Sequence, residues 1–389
     1  MVTTSIPATF NVSGVFGSIA SNNASTSSTF TVGILGTIGT GVTGSINSPT
    51  LAVSPSSVGT TYGTTSDVYN VYNAFYSQNT ITETYIVPIA DYTAASILAG
   101  IQALKDQEID LFISAIGGQV GTDGVDVTTI QASIAGFETA IVPRWAYDQS
   151  LFGSHVTASV DTLANLTTLG KALNSEFSTV VGFPAGSPDS PAVLAGYVGA
   201  VIATKMSASP ATPLQGFEVA AQPTALIVDT FGLGDRNTLY NNGISATYQK
   251  AGIVYVDTIR TTYQTDASGD EDDSYADVET MFTNAAFVSG LKSYLSSLYM
   301  GDNSKILVDD GSSISVSGSQ NVTTPLTVRA SIAAYCTIAA SNFWIEDVET
   351  TSAGIVVTRS GNKLSCYVPY QISGKLRQID FTAAFSLSS

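Results

Sequence analysis

The densest group of reactive side chains in the chain lies in TDASGDEDDSYADVETMF, from Thr265 to Phe282. It carries Asp266, Asp270, Glu271, Asp272, Asp273, Asp277 and Glu279, so a metal site, an acid/base site and a solvated loop all have to be weighed. Calcium needs oxygen ligands at fixed spacing around a glycine turn, and DASGDEDD lacks the DxDxDG order followed by a distant Glu. Paired catalytic carboxylates need contrasting surroundings, one apolar and one polar, whereas this run is polar throughout. Helix initiation is the plainer account. Ser274 and Asp277 stand three apart as a capping pair, and the preceding acids suit the positive end of a helix dipole. The stretch therefore reads as a capped, solvated loop leading into a helix, with adventitious or structural calcium as the alternative and no catalytic role assigned.

Other motifs fail on the structure they would require. Gly39, Gly41 and Gly44 spell GxGxxG, but the following SINSPTLAVSPSS cannot start the helix that a dinucleotide pyrophosphate needs, and no acid follows about 20 positions on. The SGK at Ser373–Lys375 lacks the upstream glycine spacing of a phosphate loop. His155 is the only histidine, so paired-histidine zinc motifs are excluded, and no GxSxG elbow offers it a nucleophile. Its surroundings, LFGSHVTAS, read as a loop or the lead-in to a helix. No metal or catalytic residue is assigned, no cofactor is expected, and the chain is not read as an enzyme.

Composition narrows the partners. Fourteen Lys and Arg stand against 31 Asp and Glu, a net charge of −17, which argues against a nucleic-acid backbone as partner. Only 12% of the 389 residues are charged, and none before Asp67. That segment is broken everywhere by Ser, Thr, Gly and Pro, and nothing approaches ~18 consecutive apolar residues, so membrane insertion is not expected. The start, MVTTSIPATF, has neither the basic nor the apolar region of an export signal. Cys336 and Cys366 share no metal-like spacing; they read as two buried free thiols, with a disulfide as the alternative. Sparse charge on a soluble chain also fits a subunit that covers its surface with copies of itself.

Apolar strands alternate with amphipathic helices over some 200 residues. FTVGILG, YIVPIA, DLFISAIG, TAIVPR, STVVGFP, TALIVDT and IVYVDTI read as strands. SDVYNVYNAFY (capped by Ser66), TAASILAGIQALKDQ (Thr93), LANLTTLGKALNSEF, SPAVLAGYVGAVIATKM (Ser190, then Pro191) and DRNTLYNN (ended by Gly243) read as helices. This rhythm predicts an α/β core domain with a mainly parallel sheet over residues 26–258, after an N-terminal arm at 1–25. From about residue 259 the pattern changes to a long helix, Ser274 to about Met300, and short β-like pieces: SISVSGS, FWIEDVETT, GIVVTRS and KLSCYVPY. That is a second, α+β domain over 259–377. In the tail at 378–389, Ile379, Phe381, Ala383, Phe385 and Leu387 alternate with polar or small residues as one apolar face of a strand. On pattern alone that strand either closes its own domain or adds to the sheet edge of a neighbouring subunit.

The segment DRNTLYNNGISATYQKAGIVYVDTIRTTYQTDASGDEDDSYADVETMFT resembles the core signature of Mu-like contractile-tail sheath proteins. The matching positions are Arg236, Asn237, Leu239, Gly243 to Ser245, Arg260, Thr261, Thr262, Tyr263, Gln264, Tyr275, Asp277 and Val278. VGILGTIGTG, YGTTSDVYNVYNAF, SPAVLAGYVGAVIAT, SPATPL and LSCYVPYQISGKLRQIDFTAAFSL agree in order, so the likeness runs from Phe30 almost to the end. The chain is shorter than several family members, which implies that their outer insertion domains are missing.

The resemblance implies a structural protein of a virion tail, assembled in the host bacterial cytoplasm. It implies stacked hexameric rings around an inner tail tube, held in a metastable extended state that contracts irreversibly. Partners would be other copies of the chain, the tube protein, and the baseplate and tail terminator proteins. Terminal arms would add strands to neighbours: Phe10, Val12 and Val15 at one end, and Ile379 to Leu387 at the other. The C-terminal domain would face the tube, framed by the helix from Ser274, with Ser274, Tyr275, Asp277, Phe287 and Lys292 as candidate positions. Two other readings carry separate expectations. A surface-lattice or adhesive protein predicts an export signal and mainly β patterning; an α/β enzyme predicts a convergent site.

Overall fold

Apolar, β-branched runs without polar alternation form strands that are buried on both faces. The structure, a computed structural model, describes residues 30–219, 230–312 and 321–384. Its main sheet comprises β1 (Thr31–Thr37), β2 (Thr50–Leu51), β3 (Glu83–Ile89), β4 (Leu111–Ser114), β5 (Ser154–Asp161), β6 (Ser178–Pro184), β7 (Gln215–Glu218), β8 (Ser245–Lys250) and β9 (Ile253–Thr258). The order is β2-β3-β1-β4-β5-β6-β8-β9-β7. Every pairing from β3 through β8 is parallel, and the antiparallel ones lie at the two edges. Leu111–Ser114 and Ser178–Pro184 are buried along their whole length, as a sheet covered on both faces requires.

The covering helices start where capping chemistry places them. In α1 (Pro55–Tyr62), α2 (Asp67–Gln78), α3 (Ala94–Gln102), α4 (Val127–Ile141), α5 (Leu163–Lys171) and α6 (Pro191–Ala208), the side chains of Ser54, Ser66, Thr93, Asp126, Thr162 and Ser190 each accept a first-turn amide. Such a cap is worth about 1 kcal/mol. α2 and α6 close one face around Val71, Phe75, Leu194 and Val198. α3, α4 and α5 close the other around Ile101, Ile134, Phe137 and Leu169. α6 is long and apolar enough to cross a membrane, yet over half of it is buried against the sheet and α2.

α7 (Leu233–Asn241) leads into β8, and α8 (Val278–Tyr299) joins the sheet to a further core. Ile259, Tyr263, Tyr275, Val278 and Phe282 belong to the two sheet cores. Ala286 and Phe287 instead pack with Ile332, Tyr335, Trp344 and Ile355, drawn largely from α9 (Pro325–Ser341) and the loop after it. The change of core thus falls inside α8, whereas the sequence pattern places it at residue 259. A short helix, α10 (Val348–Gly354), and the hairpin Val356–Ser360/Lys363–Tyr367 complete this part.

Several expectations need correction. TAIVPR is no strand: Ala140 and Ile141 continue the buried stripe of Ile130, Ile134 and Phe137 to the end of α4, and a 3-10 turn, Val142–Trp145, follows. SHVTASVD, read as a loop, is β5 at the centre of the sheet; His155, Thr157, Ser159 and Asp161 share one face that is buried although polar, which hid it. FWIEDVETT is a two-residue strand followed by α10, and α9 was not foreseen at all. α8 begins at Val278 rather than Ser274, with Asp277 as its N-cap. Both cysteines are free, but Cys366 is exposed, not buried. TALIVDT lies almost wholly, and SISVSGS wholly, outside the described residues, as do Phe10, Val12, Val15, Phe385 and Leu387.

Candidate functional site: the signature knot and the C-terminal latch

An open parallel sheet usually binds ligands at the carboxyl ends of its strands, where the strand order reverses. Here that point lies between β1 and β4, and it is filled by the protein itself. Asp67, the first residue of α2, accepts Thr37 Oγ1 at 2.6 Å and Tyr92 OH at 2.8 Å. The Tyr92 hydroxyl lies against the backbone of Thr37 and Ala115, and burial beside the Asp67 carboxylate holds its pKa well above the ordinary value. The GxGxxG glycines sit in an irregular loop after β1, not at a helix start.

His155 is no surface base. It is buried in β5 between strands carrying Ser114 and Ser178, with Nε2 2.7 Å from Ser114 Oγ and Nδ1 3.2 Å from Ser178 Oγ. Its ring stacks on Phe137 at 4.7 Å, and burial depresses its pKa to about 3. A neutral, sealed imidazole bridging two hydroxyls is a core polar rung without substrate access.

The acidic stretch divides into two parts. Asp266 Oδ1 accepts the amides of Ser268 and Asp270 at 2.8 and 3.0 Å, folding the loop on itself. Asp272 accepts the Ser274 amide at 2.9 Å and the Tyr263 hydroxyl at 2.7 Å; the Ser274 hydroxyl, then that of Tyr263, holds its carboxyl below the usual range. Ser274 thus serves the loop rather than capping α8. Among the described residues no group of three or more His, Cys, Asp or Glu is placed to hold a metal. Asp277 and Glu279 belong to a different structure, the latch described below.

The signature residues converge on backbone rather than on a cavity. Arg260 Nε donates to the Thr261 carbonyl at 3.0 Å, Nη1 to that of Tyr240 at 2.5 Å, and Nη2 to that of Tyr263. The guanidinium also faces the Tyr240 ring at 4.8 Å. Thr261 Oγ1 donates to the Tyr275 carbonyl at 2.6 Å, and Thr262 Oγ1 accepts the Ser175 amide at 3.0 Å. Tyr263 and Tyr275 meet edge to face at 5.3 Å. Gln264 Nε2 donates to the carbonyls of Gly170 and Leu173 at 3.0 and 2.8 Å. Gly243, at φ +77°, makes the turn that lets Gln264 approach, since a Cβ there would lie 2.9 Å from Nε2. Arg236 pairs with Asp257 at 3.0 Å and covers the Tyr248 ring at 4.5 Å, while Asn237 is exposed and takes no part. The knot fastens α5, α7 and β8 to the start of α8. The donors of Arg260, Thr261 and Gln264 are spent on carbonyls, so the knot holds shape.

Beside the knot the C-terminal segment returns. Arg377 Nη2 lies 2.7 Å from Asp277 Oδ1 and 3.0 Å from both Glu279 oxygens, and Nη1 donates to Gln215 Oε1 at 3.0 Å. Gln215 Nε2 donates back to the Leu376 carbonyl at 2.8 Å, and the fully buried Glu279 also accepts the Leu214 amide. An open cleft of about 410 Å³, lined by Asp277, Thr280, Tyr370 and Lys375 among others, flanks the latch on one side. Sequence reasoning missed this site: Arg377 stood only in a loose Leu-Arg pattern, and Glu279 was one acid among seven. The scarcity of cations was the usable signal.

Of the candidate tube-facing positions, Tyr275 and Phe287 are buried, Asp277 is engaged by Arg377, Ser274 is exposed and Lys292 is half-buried on α8. Buried positions cannot touch a partner directly, which corrects that assignment for Tyr275 and Phe287. Beyond Arg377, Ile379 and Phe381 are 77% and 82% exposed, and residues 379–384 form no strand within the chain.

No family model matches the chain. A curated relative, the Mu-like prophage FluMu tail sheath protein of Haemophilus influenzae, is 26% identical over 257 residues, or 66% of this chain. The chain spans about half the length of that relative, 51%. Among solved structures, the helical sheath of the anti-feeding prophage in its contracted state aligns over 98% of this chain and 99% of its own, with TM-score 0.60 and 12% identity. A chain of the six-fold symmetrised anti-feeding prophage baseplate aligns over 99% and 100%, also at TM-score 0.60, with 13% identity. The sheath tail protein of Desulfitobacterium hafniense aligns over 95% and 100% at TM-score 0.53 and 8% identity. These relatives are structural proteins, not enzymes. The resemblance read from the signature is borne out: the chain is similar in sequence to a Mu-like tail sheath protein and has the fold of tail sheath proteins.

Proposed function

We propose that the chain is a structural, non-catalytic subunit of a contractile tail sheath. It polymerises as stacked hexameric rings around an inner tail tube and contracts irreversibly to drive the tube through a host envelope. The observation that carries this reading is a fold likeness covering 98% of the chain and 99% of a helical sheath subunit. The interior of the molecule supports it. The usual ligand crevice is plugged by Tyr92 and Asp67, and the signature residue Arg260 binds backbone carbonyls. In this reading the work of contraction resides in contacts between subunits.

In this reading the nine-stranded sheet and its helices form the outer domain, and the part built on the second half of α8, α9 and the hairpin faces the tube. Ser274 and Lys292 remain the candidate tube contacts. The arms, Phe10 to Val15 and Ile379 to Leu387, add strands to neighbouring copies; a handful of backbone bonds at about 1 kcal/mol net each holds a few kcal/mol per arm. The tube, baseplate and terminator proteins are the partners, in a virion tail assembled in the host cytoplasm. Negative-stain electron microscopy of the concentrated, purified chain tests this. Long hollow striated tubes are expected, and removing residues 379–389 should leave unlinked rings or monomers. A chain that stays monomeric at every concentration, with and without the tube protein, overturns the proposal.

A further inference from the structure

The latch around Arg377 sits where three parts of the chain meet. Leu214 and Gln215 lead into the edge strand β7, Asp277 and Glu279 lie at the start of α8, and residues 373–377 are, among the described residues, the last part of the chain held to the body. Upstream, the Ser373 amide donates to the Trp344 carbonyl at 3.2 Å. Downstream, Ile379 lies only two residues on, within about 7 Å of extended chain. The position of Arg377 therefore fixes where the exposed apolar face of the tail starts.

We propose that Arg377 is a positioning residue for assembly, gripped by Asp277 and Glu279 so that the C-terminal arm leaves the body at one place and in one direction. The latch also sets a path for force. The part of the chain built on α9 enters through α8 and leaves through residues 370–377, and both ends are fastened at the same spot on the edge of the main sheet. A partner that holds the arm pulls on β7 and the first turn of α8, which the signature knot ties to α5 and α7, and the pull bypasses the third core. The two carboxylates differ in weight. Glu279 is sealed from water while Asp277 opens onto the cleft, so the Glu279 contact is the less screened of the two. The force path rests on the sheath reading; the grip itself does not.

Trypsin separates the two. Cleavage after Arg377 needs its side chain withdrawn from the carboxylates and placed in the protease. The chain is compared with Glu279→Gln, which still offers an acceptor to the Leu214 amide, and with Asp277→Asn/Glu279→Gln. The expected result is release of the peptide after Arg377 on the order of 10- to 100-fold faster in the double variant, intermediate in the single one, with cooperative melting retained in both. Equal release rates in folded protein overturn the grip. In electron microscopy the double variant should need a several-fold higher concentration to form tubes or give shorter, disconnected ones. Faster release with unchanged tubes overturns the role in assembly. If the unaltered chain forms no tubes with or without tube protein, the sheath reading fails and the force path falls with it, while the release rates still decide the grip.

Discussion

Ser114 Oγ and His155 Nε2 lie 2.7 Å apart on adjacent parallel strands, in the most buried layer of the sheet. Burial lowers the imidazole pKa from 6.5 to about 3. Between those values the unfolded chain binds a proton that the native chain refuses, so stability is lost as pH falls through 6.5 and continues to fall toward 3. The loss is about 1.4 kcal/mol per pH unit, or roughly 2 kcal/mol at pH 5. His155→Gln does not titrate. Denaturant unfolding at pH 7 and pH 5 should show the gap between the parent and this variant shrinking by about that amount. A gap independent of pH would mean that the native imidazole binds its proton normally.

Arg260 spends three nitrogens on three carbonyls, of Thr261, Tyr240 and Tyr263. A lysine keeps the charge but carries one compact ammonium that cannot span them. Arg260→Lys should cost about 2–4 kcal/mol in urea unfolding, since buried carbonyls lose their donors. A cost below about 0.5 kcal/mol would remove the knot from the account of stability.

Gly243 and Gln264 test the same knot from its packing side. An alanine at 243 meets strain at φ +77° and contacts of 2.9 Å to Gln264 Nε2 and 3.1 Å to the Thr262 carbonyl. The backbone part is about 1–2 kcal/mol and stays whatever residue 264 is. The contact with Gln264 should vanish once that side chain is truncated, while the one with the Thr262 carbonyl stays. Gly243→Ala is therefore expected to cost less in a Gln264→Ala background than in the parent, by about 1 kcal/mol in a double-mutant cycle. Strict additivity would show that the two positions do not press on each other.

The parallel sheet was legible because β1, β4 and β6 carry uninterrupted apolar runs and because Ser66, Thr93 and Ser190 cap the helices beside them. β5 was not, since His155, Thr157 and Ser159 are satisfied inside the core by the hydroxyls of Ser114 and Ser178 and the backbone of Ser114 and Gly117, which a hydropathy pattern cannot register. α9 was missed because its apolar positions, Val328, Ile332, Tyr335, Cys336 and Ala339, are diluted by Ala and Thr on every face. The signature positions were readable as a pattern, but their role was not. Arg260 acts on carbonyls, which have no residue identity in the sequence. The latch was hidden for a related reason: Arg377 and Glu279 are 98 positions apart, and only the return of the chain through residues 370–377 brings them together.

The tail offers the sharpest separation between folding and assembly. Ile379 and Phe381 are exposed, make no strand within the chain, and lie just past the latch. Surface substitutions clear of packed features stay within about 0.5 kcal/mol, so Ile379→Asp/Phe381→Asp should melt like the parent. If the apolar face of the tail is what a second copy receives, charge on it must be desolvated on docking, at a cost that a few backbone hydrogen bonds cannot offset. The variant should then remain unassembled by electron microscopy and sedimentation at concentrations where the parent forms tubes. Tubes of normal length from the variant would show that the apolar face is not what neighbours bind. A large drop in melting temperature would show instead that it packs on its own subunit.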